Sequence, residues 1–165
     1  MRGSVEVHRY LVERAIPHEF YRLDRPLRRI DEASAVLGLD PEIVVAAELF
    51  DSRDGHALAL TSVSGCASAQ AVASALGVRR VRPMAKQRVT AHTGFMADWL
   101  PPVGHERPNR AVLDRALTEA DVLYAAGGDP GVMIVLRSAD LIRATAAAVV
   151  DLTAEEETAT PAAAG

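Results

Sequence analysis

The chain has 165 residues, of which 49% are hydrophobic and 24% charged, enough apolar material for the core of one globular domain and too much for a chain disordered throughout. The longest uncharged stretch, residues 55–78, is interrupted by polar runs, and the residues after Met1 form a charged amphipathic segment; neither a membrane span nor a signal peptide is expected, and the cytoplasm is the expected location. A net charge of −4 argues against a bulk nucleic-acid binder, and DNA is not an expected partner.

Val5, His8, Leu11, Val12 and Ala15 recur at helical spacing, so residues 4–15 read as an amphipathic helix closed by Ile16-Pro17. Residues 18–23, with Phe20 and Tyr21, read as a short strand, and residues 30–37 as a second helix stopped by Gly38 ahead of Asp40-Pro41. Two runs of apolar and branched residues, 43–50 and 56–63, flank Asp54-Gly55, a hairpin signal. The polar loop Ser64-Gly65-Cys66-Ala67-Ser68 superficially resembles a nucleophile turn but lacks the Gly-x-Ser-x-Gly order; it reads better as a lead-in to an alanine-rich helix over 68–76, with Ser68 as cap and Gly77 as stop. Cys66 is the only cysteine and has no internal disulfide partner; a lone thiol of this kind is more often a buried structural residue than a nucleophile.

A strand over 78–83 and a helical turn over 85–92 are expected next, and here the charge becomes uneven. Residues 55–97 contain no Asp or Glu but five basic residues, Arg79, Arg80, Arg82, Lys86 and Arg88, which leaves −9 on the remainder. An acid-free basic segment guides a polyanion to one face through its local field, although the same pattern also describes a solvated surface that happens to lack acids.

Residues 93–108 are rich in Gly and Pro and hold the only tryptophan, Trp99; such a segment is a structured loop of the kind that carries sites on a rigid scaffold. Apolar segments over 111–117 and 122–126 precede Gly127-Gly128-Asp129-Pro130-Gly131, a turn into a strand over 132–136, and Ser138 is placed to cap a closing helix over 139–152. From Thr153 the composition turns to Ala, Glu, Thr and Pro, which cannot bury enough surface to order itself, so a domain over 1–152 with a disordered tail over 153–165 is expected. The alternation of helices, a hairpin and separate strands indicates an α/β domain of the α+β type, with a mixed, largely antiparallel sheet surrounded by helices.

Most chemical signatures are missing. His8, His18, His56, His92 and His105 stand far apart, outside any metal-ligand spacing, and neither a Walker-type phosphate loop nor a dinucleotide fingerprint occurs; no metal or cofactor is implied. Thr93-Gly94-Phe95 followed by Pro102-Val103-Gly104 offers instead a closely approaching backbone whose N–H groups can hold a carbonyl or a phosphate.

The order of these features resembles the YbaK/ProX-type aminoacyl-tRNA editing domain family, related to the editing insertion of bacterial prolyl-tRNA synthetases. The resemblance covers about residues 5–152 and is carried by Ile16-Pro17, Leu37-Gly38-Leu39, the hairpin runs, Leu76-Gly77, Thr93-Gly94-Phe95, Pro102-Val103-Gly104, the Asp114 segment, Ala126-Gly127-Gly128 and residues 138–141. It implies a metal-free hydrolase that removes a wrong amino acid from tRNA, because a synthetase pocket gains only about 1–3 kcal/mol from one methylene and cannot reject a near-sized amino acid alone. It also implies backbone donors near Gly94, Pro102 and Gly104 for the oxyanion; the candidate substrate contacts are Ala46, Lys86, Arg88, Thr93, Phe95, Asp98, Trp99, Gly127 and Gly128, with the basic segment 79–88 toward the acceptor phosphates. Two positions depart from the family pattern. Ala46 stands where the family carries a lysine on the first hairpin strand, and Asp98-Trp99 stand where it carries paired glycines. Lys86, the only lysine, is either a replacement cation or a solvated surface residue, and Trp99 is either a core plug or a stacking platform. The expected function is therefore ester hydrolysis on mischarged aminoacyl-tRNA through an altered pocket, the acceptor end being the expected partner. The alternative is a non-catalytic descendant that binds a nucleotide, a small ligand or a protein.

Overall fold

Two sheets, not one, are built from this chain in the computed structural model, which describes residues 1–153. The first part of the chain gives α1 (Ser4–Glu13), β1 (Glu19–Arg22), α2 (Glu32–Leu37) and the hairpin β2 (Val45–Ser52) and β3 (Gly55–Ser62). Next come α3 (Ala69–Leu76), β4 (Arg82–Pro83), α4 (Lys86–Thr93), β5 (Arg110–Asp114), β6 (Val122–Ala126), β7 (Val132–Arg137), α5 (Ser138–Thr145) and β8 (Ala148–Val150). The larger sheet runs β4-β2-β3-β5-β8 and the smaller β1-β7-β6. Pairs β3·β5 and β5·β8 are parallel and the other pairs antiparallel, so the architecture is mixed α/β.

Strand alternation sets the layers. Val45 and Leu49 of β2, Leu58 and Leu60 of β3 and Leu113 of β5 face Leu123, Ile134 and Leu136 of the smaller sheet, and Val7 and Leu11 of α1 and Leu141 of α5 close this main core. Phe50, Ala59 and Val112 point to the opposite face, where Val72 and Ala73 of α3 cover them. A third cluster forms around Trp99, with Leu23, Ile30, Ala33, Val44, Ala126 and Met133.

Local chemistry accounts for several boundaries. The Ser68 Oγ accepts from Ala71 N at 3.2 Å at the start of α3, and Gly38 and Gly77 end α2 and α3 in the left-handed conformation. Other boundaries differ from expectation. The closing helix stops at Thr145, because Ala146 turns left-handed (φ 53°) and Val149 and Val150 pair in parallel with Leu113 and Asp114. Covering the open edge of β5 outweighs the helix propensity of the alanine run. Ser138 is the first residue of α5, not its cap, and its N–H donates to Asp121 O at 3.0 Å. Of residues 78–83 only the last two are strand. Cys66 is exposed, because loop 63–68 passes over the surface between β3 and α3. Thr153, expected in the tail, bridges to Ala67; the rest of that tail lies outside the described residues.

Candidate functional site

The short β4 pairs with β2 only at Phe50 and Asp51, so the neighbouring edge of β2 lies open. There a pocket of about 400 Å³ is lined by Ala46 and Ala47, by Ile30 and Asp31 ahead of α2, by Met84 and Lys86, and by Asp98 of the short 3-10 turn Ala97–Trp99. Lys86 opens α4, and its Nζ donates to Asp98 Oδ2 at 3.1 Å, with the two side chains 73% and 39% exposed. An ion pair this open to water is worth about 1 kcal/mol or less, so the ammonium is easily released to another anion. Arg29 pairs with Asp31 at 3.1 Å on the same pocket. Glu48 also lines it, and burial of part of its side chain raises its carboxyl above the ordinary value.

A second cleft, of about 930 Å³, lies beside the first. Arg53, Arg79, Arg80, Arg82 and Arg88 line it together with Asp51, Asp54 and His56. Arg88 is held by Asp51, whereas among the described residues Arg53, Arg79, Arg80 and Arg82 make no ion pair. The buried His56 Nδ1 is 2.8 Å from Asp51 Oδ1 without the direction of a hydrogen bond, and its ring meets His92 edge-on at 4.6 Å between centroids. The two clefts share walls: β2 contributes Ala46–Leu49 to one and Asp51–Ser52 to the other, while α4 presents Lys86 to the first and Arg88 to the second.

The structure thus brings together Ala46, Lys86 and Asp98, and places Arg88 in the arginine cleft; Thr93, Gly94, Phe95, Trp99, Pro102, Gly104, Gly127 and Gly128 line neither space. Thr93 is buried, its Oγ1 donating to Val89 O at 2.8 Å and accepting from Phe95 N at 3.0 Å. Gly94 (φ 87°) ends α4; its N–H donates to Thr90 O at 2.9 Å and its carbonyl accepts from Arg2 N at 2.8 Å. At Gly128 (φ 113°) a Cβ would stand 2.6 Å from the carbonyl carbon of Gly3, and Gly104 lies against the backbone of Val7. These glycines therefore seat the N-terminal segment, and the amides of Gly94 and Phe95 are engaged within the protein. Pro102 is buried and has no N–H to give. Trp99 is 1% exposed and donates from Nε1 to Val132 O at 3.1 Å, a core plug with no face free for a base.

A polar chain fixes the loop beyond. The His105 Nε2–H donates to Pro101 O at 2.7 Å, so Nδ1 accepts from Asn109 Nδ2 at 3.0 Å, and Asn109 Oδ1 accepts from His92 Nε2 at 2.9 Å. Burial pushes His105 down to about 4, against the pull of the Pro101 carbonyl, with the charge of His92 and Arg2 adding to the fall. Among the described residues no group of three or more His, Cys, Asp or Glu is placed to hold a metal ion, and no helix is long and apolar enough to cross a membrane.

Sequence reasoning missed Glu48 and the wall at Arg29–Asp31. The signal for Glu48 was present: it sits two residues after Ala46, on the same face of a strand, where alternation puts both at one surface. The wall had no comparable signal, because its position depends on the contact Ile30 N to Asp98 O, 3.1 Å, between segments distant in sequence.

By fold and site this is an α/β domain with a small open pocket on one strand edge and an arginine cleft beside it. The chain belongs to the aminoacyl-tRNA editing domain family, whose model matches residues 24–144. Among solved structures it is similar to a protein described as a candidate trans-editing enzyme for prolyl-tRNA synthetase, at 27% identity and a TM-score of 0.84, over 92% of this chain and 96% of that one. It is also similar to a scaffold used for computational epitope grafting, at 29% identity and a TM-score of 0.82, over the same shares. A hypothetical protein at 22% identity, covering 90% of this chain and 99% of its own, shares the fold with a TM-score of 0.84.

Proposed function

We propose that the protein is a trans-editing deacylase that hydrolyses the ester of a mischarged aminoacyl-tRNA in the 400 Å³ pocket. The observation that carries this reading is the meeting of Ala46, Lys86 and Asp98 in that pocket. The resemblance implies a cation on β2 where this chain has Ala46, and the chain holds its single lysine over the same space from α4. Asp98 is the residue that pairs with Lys86 there until another anion enters.

In the reaction, water adds to the ester carbonyl, the bond to the ribose 3′-oxygen breaks, and free amino acid leaves a tRNA with its 3′-hydroxyl restored. Lys86, freed from Asp98 by the incoming anion, lies where it stabilises the carbonyl oxygen as it becomes negative or the terminal phosphate beside it. No side-chain nucleophile is needed, since an ester under water attack requires positioning and charge stabilisation more than a covalent intermediate. The acceptor-stem backbone follows the arginine cleft, whose walls run on from the pocket.

A second reading is supported by Ala46, whose methyl cannot pair with a phosphate or orient a carbonyl: a descendant that binds a nucleotide, small ligand or protein without cleaving anything. One assay separates the two. The protein is incubated in excess with a panel of mischarged tRNAs, including alanylated and cysteinylated proline tRNA, and amino acid release is followed. Release from at least one is expected; release from none overturns the deacylase reading in favour of the binding module.

A further inference from the structure

Glu48 is the one charged residue of the small pocket left without a counter-charge. Arg29 is paired with Asp31 and Lys86 with Asp98, while Glu48 has no ion-pair or hydrogen-bond partner among the described residues. It projects from the face of β2 that carries Ala46, between that methyl and the buried Phe50, beside a strand edge that β4 leaves uncovered. Before a ligand enters, the pocket is therefore two ion pairs, a wall of methyl groups and a single unpaired negative charge.

We infer that Glu48 recognises the α-ammonium of the aminoacyl group, so that the pocket selects esters of free α-amino acids over N-blocked or α-hydroxy acids. An α-amine carries a proton at neutral pH in most of its molecules, and a carboxylate without a partner, exposed at the rim of the pocket, gains a charge-assisted hydrogen bond from such a donor. One carboxylate beside methyl groups suits a monovalent ammonium with a small side chain; a divalent metal would need several oxygens converging on it. The upward displacement of the Glu48 carboxyl by burial agrees with a missing cation. The inference rests on the deacylase reading for the identity of the ligand but not for its test.

The test uses two non-hydrolysable probes that differ by one amine, 3′-alanylamido-adenosine and 3′-propionylamido-adenosine, titrated by NMR into the full chain and into Glu48→Gln. The wild type is expected to bind the alanyl probe about tenfold more tightly, the low end for a hydrogen bond to a charged group, and Glu48→Gln to remove that preference by weakening the alanyl probe alone. Equal affinity of the wild type for the two probes, a preference that survives Glu48→Gln, or no binding of either at millimolar concentration overturns the inference. In parallel, deacylation of alanylated tRNA is compared with that of its N-acetyl form. Cleavage of both at equal rates removes the role of Glu48 and leaves the deacylase reading standing. Discrimination between the probes without cleavage of any charged tRNA does the reverse. An unchanged melting temperature of Glu48→Gln, expected of a side chain with no partner, shows that folding is not what changed.

Discussion

At the scale of single residues, Lys86, Asp98 and Ala46 meet in one pocket. Lys86→Ala is expected to lower kcat/KM for the cleaved aminoacyl-tRNA by tenfold or more without moving the melting temperature, because its exposed ion pair contributes about 1 kcal/mol or less to folding. Lys86→Arg should recover part of the loss, since it keeps the charge while changing its geometry. A surface lysine with no part in the reaction would leave both rates intact. Ala46→Lys is expected to raise the rate by placing a cation on β2, and an unchanged rate in a variant that melts like the wild type would count against any catalytic role for charge at that position. Ala46 drew notice in the sequence only because the family resemblance implies a lysine at that place on β2. That Lys86 reaches the same pocket was not legible there, because the contact is made between α4 and the turn at Asp98, and which side of α4 meets that turn is decided by tertiary packing.

At the scale of elements, the segment after α4 is rigid for reasons the sequence half revealed. Its Gly and Pro residues announced a structured loop, but the role of its glycines as the seat of Arg2–Val7 depends on a contact across the chain. Trp99 is the plug of this segment, and Trp99→Ala is expected to destabilise by about 3–5 kcal/mol in urea titrations, the usual range for an emptied aromatic site in a core. A stacking platform would lose activity and keep its stability. His105 gives the segment a pH dependence. Its value in the folded protein, about 4, lies below the ordinary 6.5, so between these limits the unfolded chain binds a proton that the folded protein refuses. Stability contributed by neutral His105 is therefore complete above pH 6.5 and is lost as pH falls toward 4, by about 3 kcal/mol in full. Carboxylates titrate in the same window, so the measurement is a difference: the gap in unfolding free energy between pH 7 and pH 4.5 should shrink in His105→Gln, and an undiminished gap would move the effect elsewhere. Caps such as Ser68 and Gly77 were legible because they act within a few residues. The end of α5 was not, since β8 forms only where β5 offers it an edge.

At the scale of the molecule, net charge says less than where the fold puts it. The chain is −4 overall, yet the acid-free run of residues 55–97 folds so that Arg79, Arg80, Arg82 and Arg88 surround one cleft and Lys86 overlooks the next. The charge split was legible in the sequence; the division into two clefts was not, because it requires the chain to leave β2 after the Met84 N–H to Leu49 O bond that follows the two pairs of β4. An acceptor stem lying along the arginine cleft would exchange condensed counterions for guanidinium groups, and each phosphate neutralised contributes about 0.9 to the slope of log affinity against log salt on a duplex. Replacing Arg79, Arg80 and Arg82 together by Gln should flatten that slope by roughly 2–3, since all three lack ion-pair partners among the described residues. The same variant should hydrolyse a short aminoacyl-adenosine ester at the wild-type rate, because the 400 Å³ pocket proposed for the ester has none of these three arginines in its lining. Measured between low and physiological salt, a flattened slope for tRNA with an unchanged rate for the short ester assigns the two clefts to stem and ester respectively. An unchanged slope would take the tRNA off this face altogether, and a slower short ester would mean that the arginines act within the pocket and not beside it.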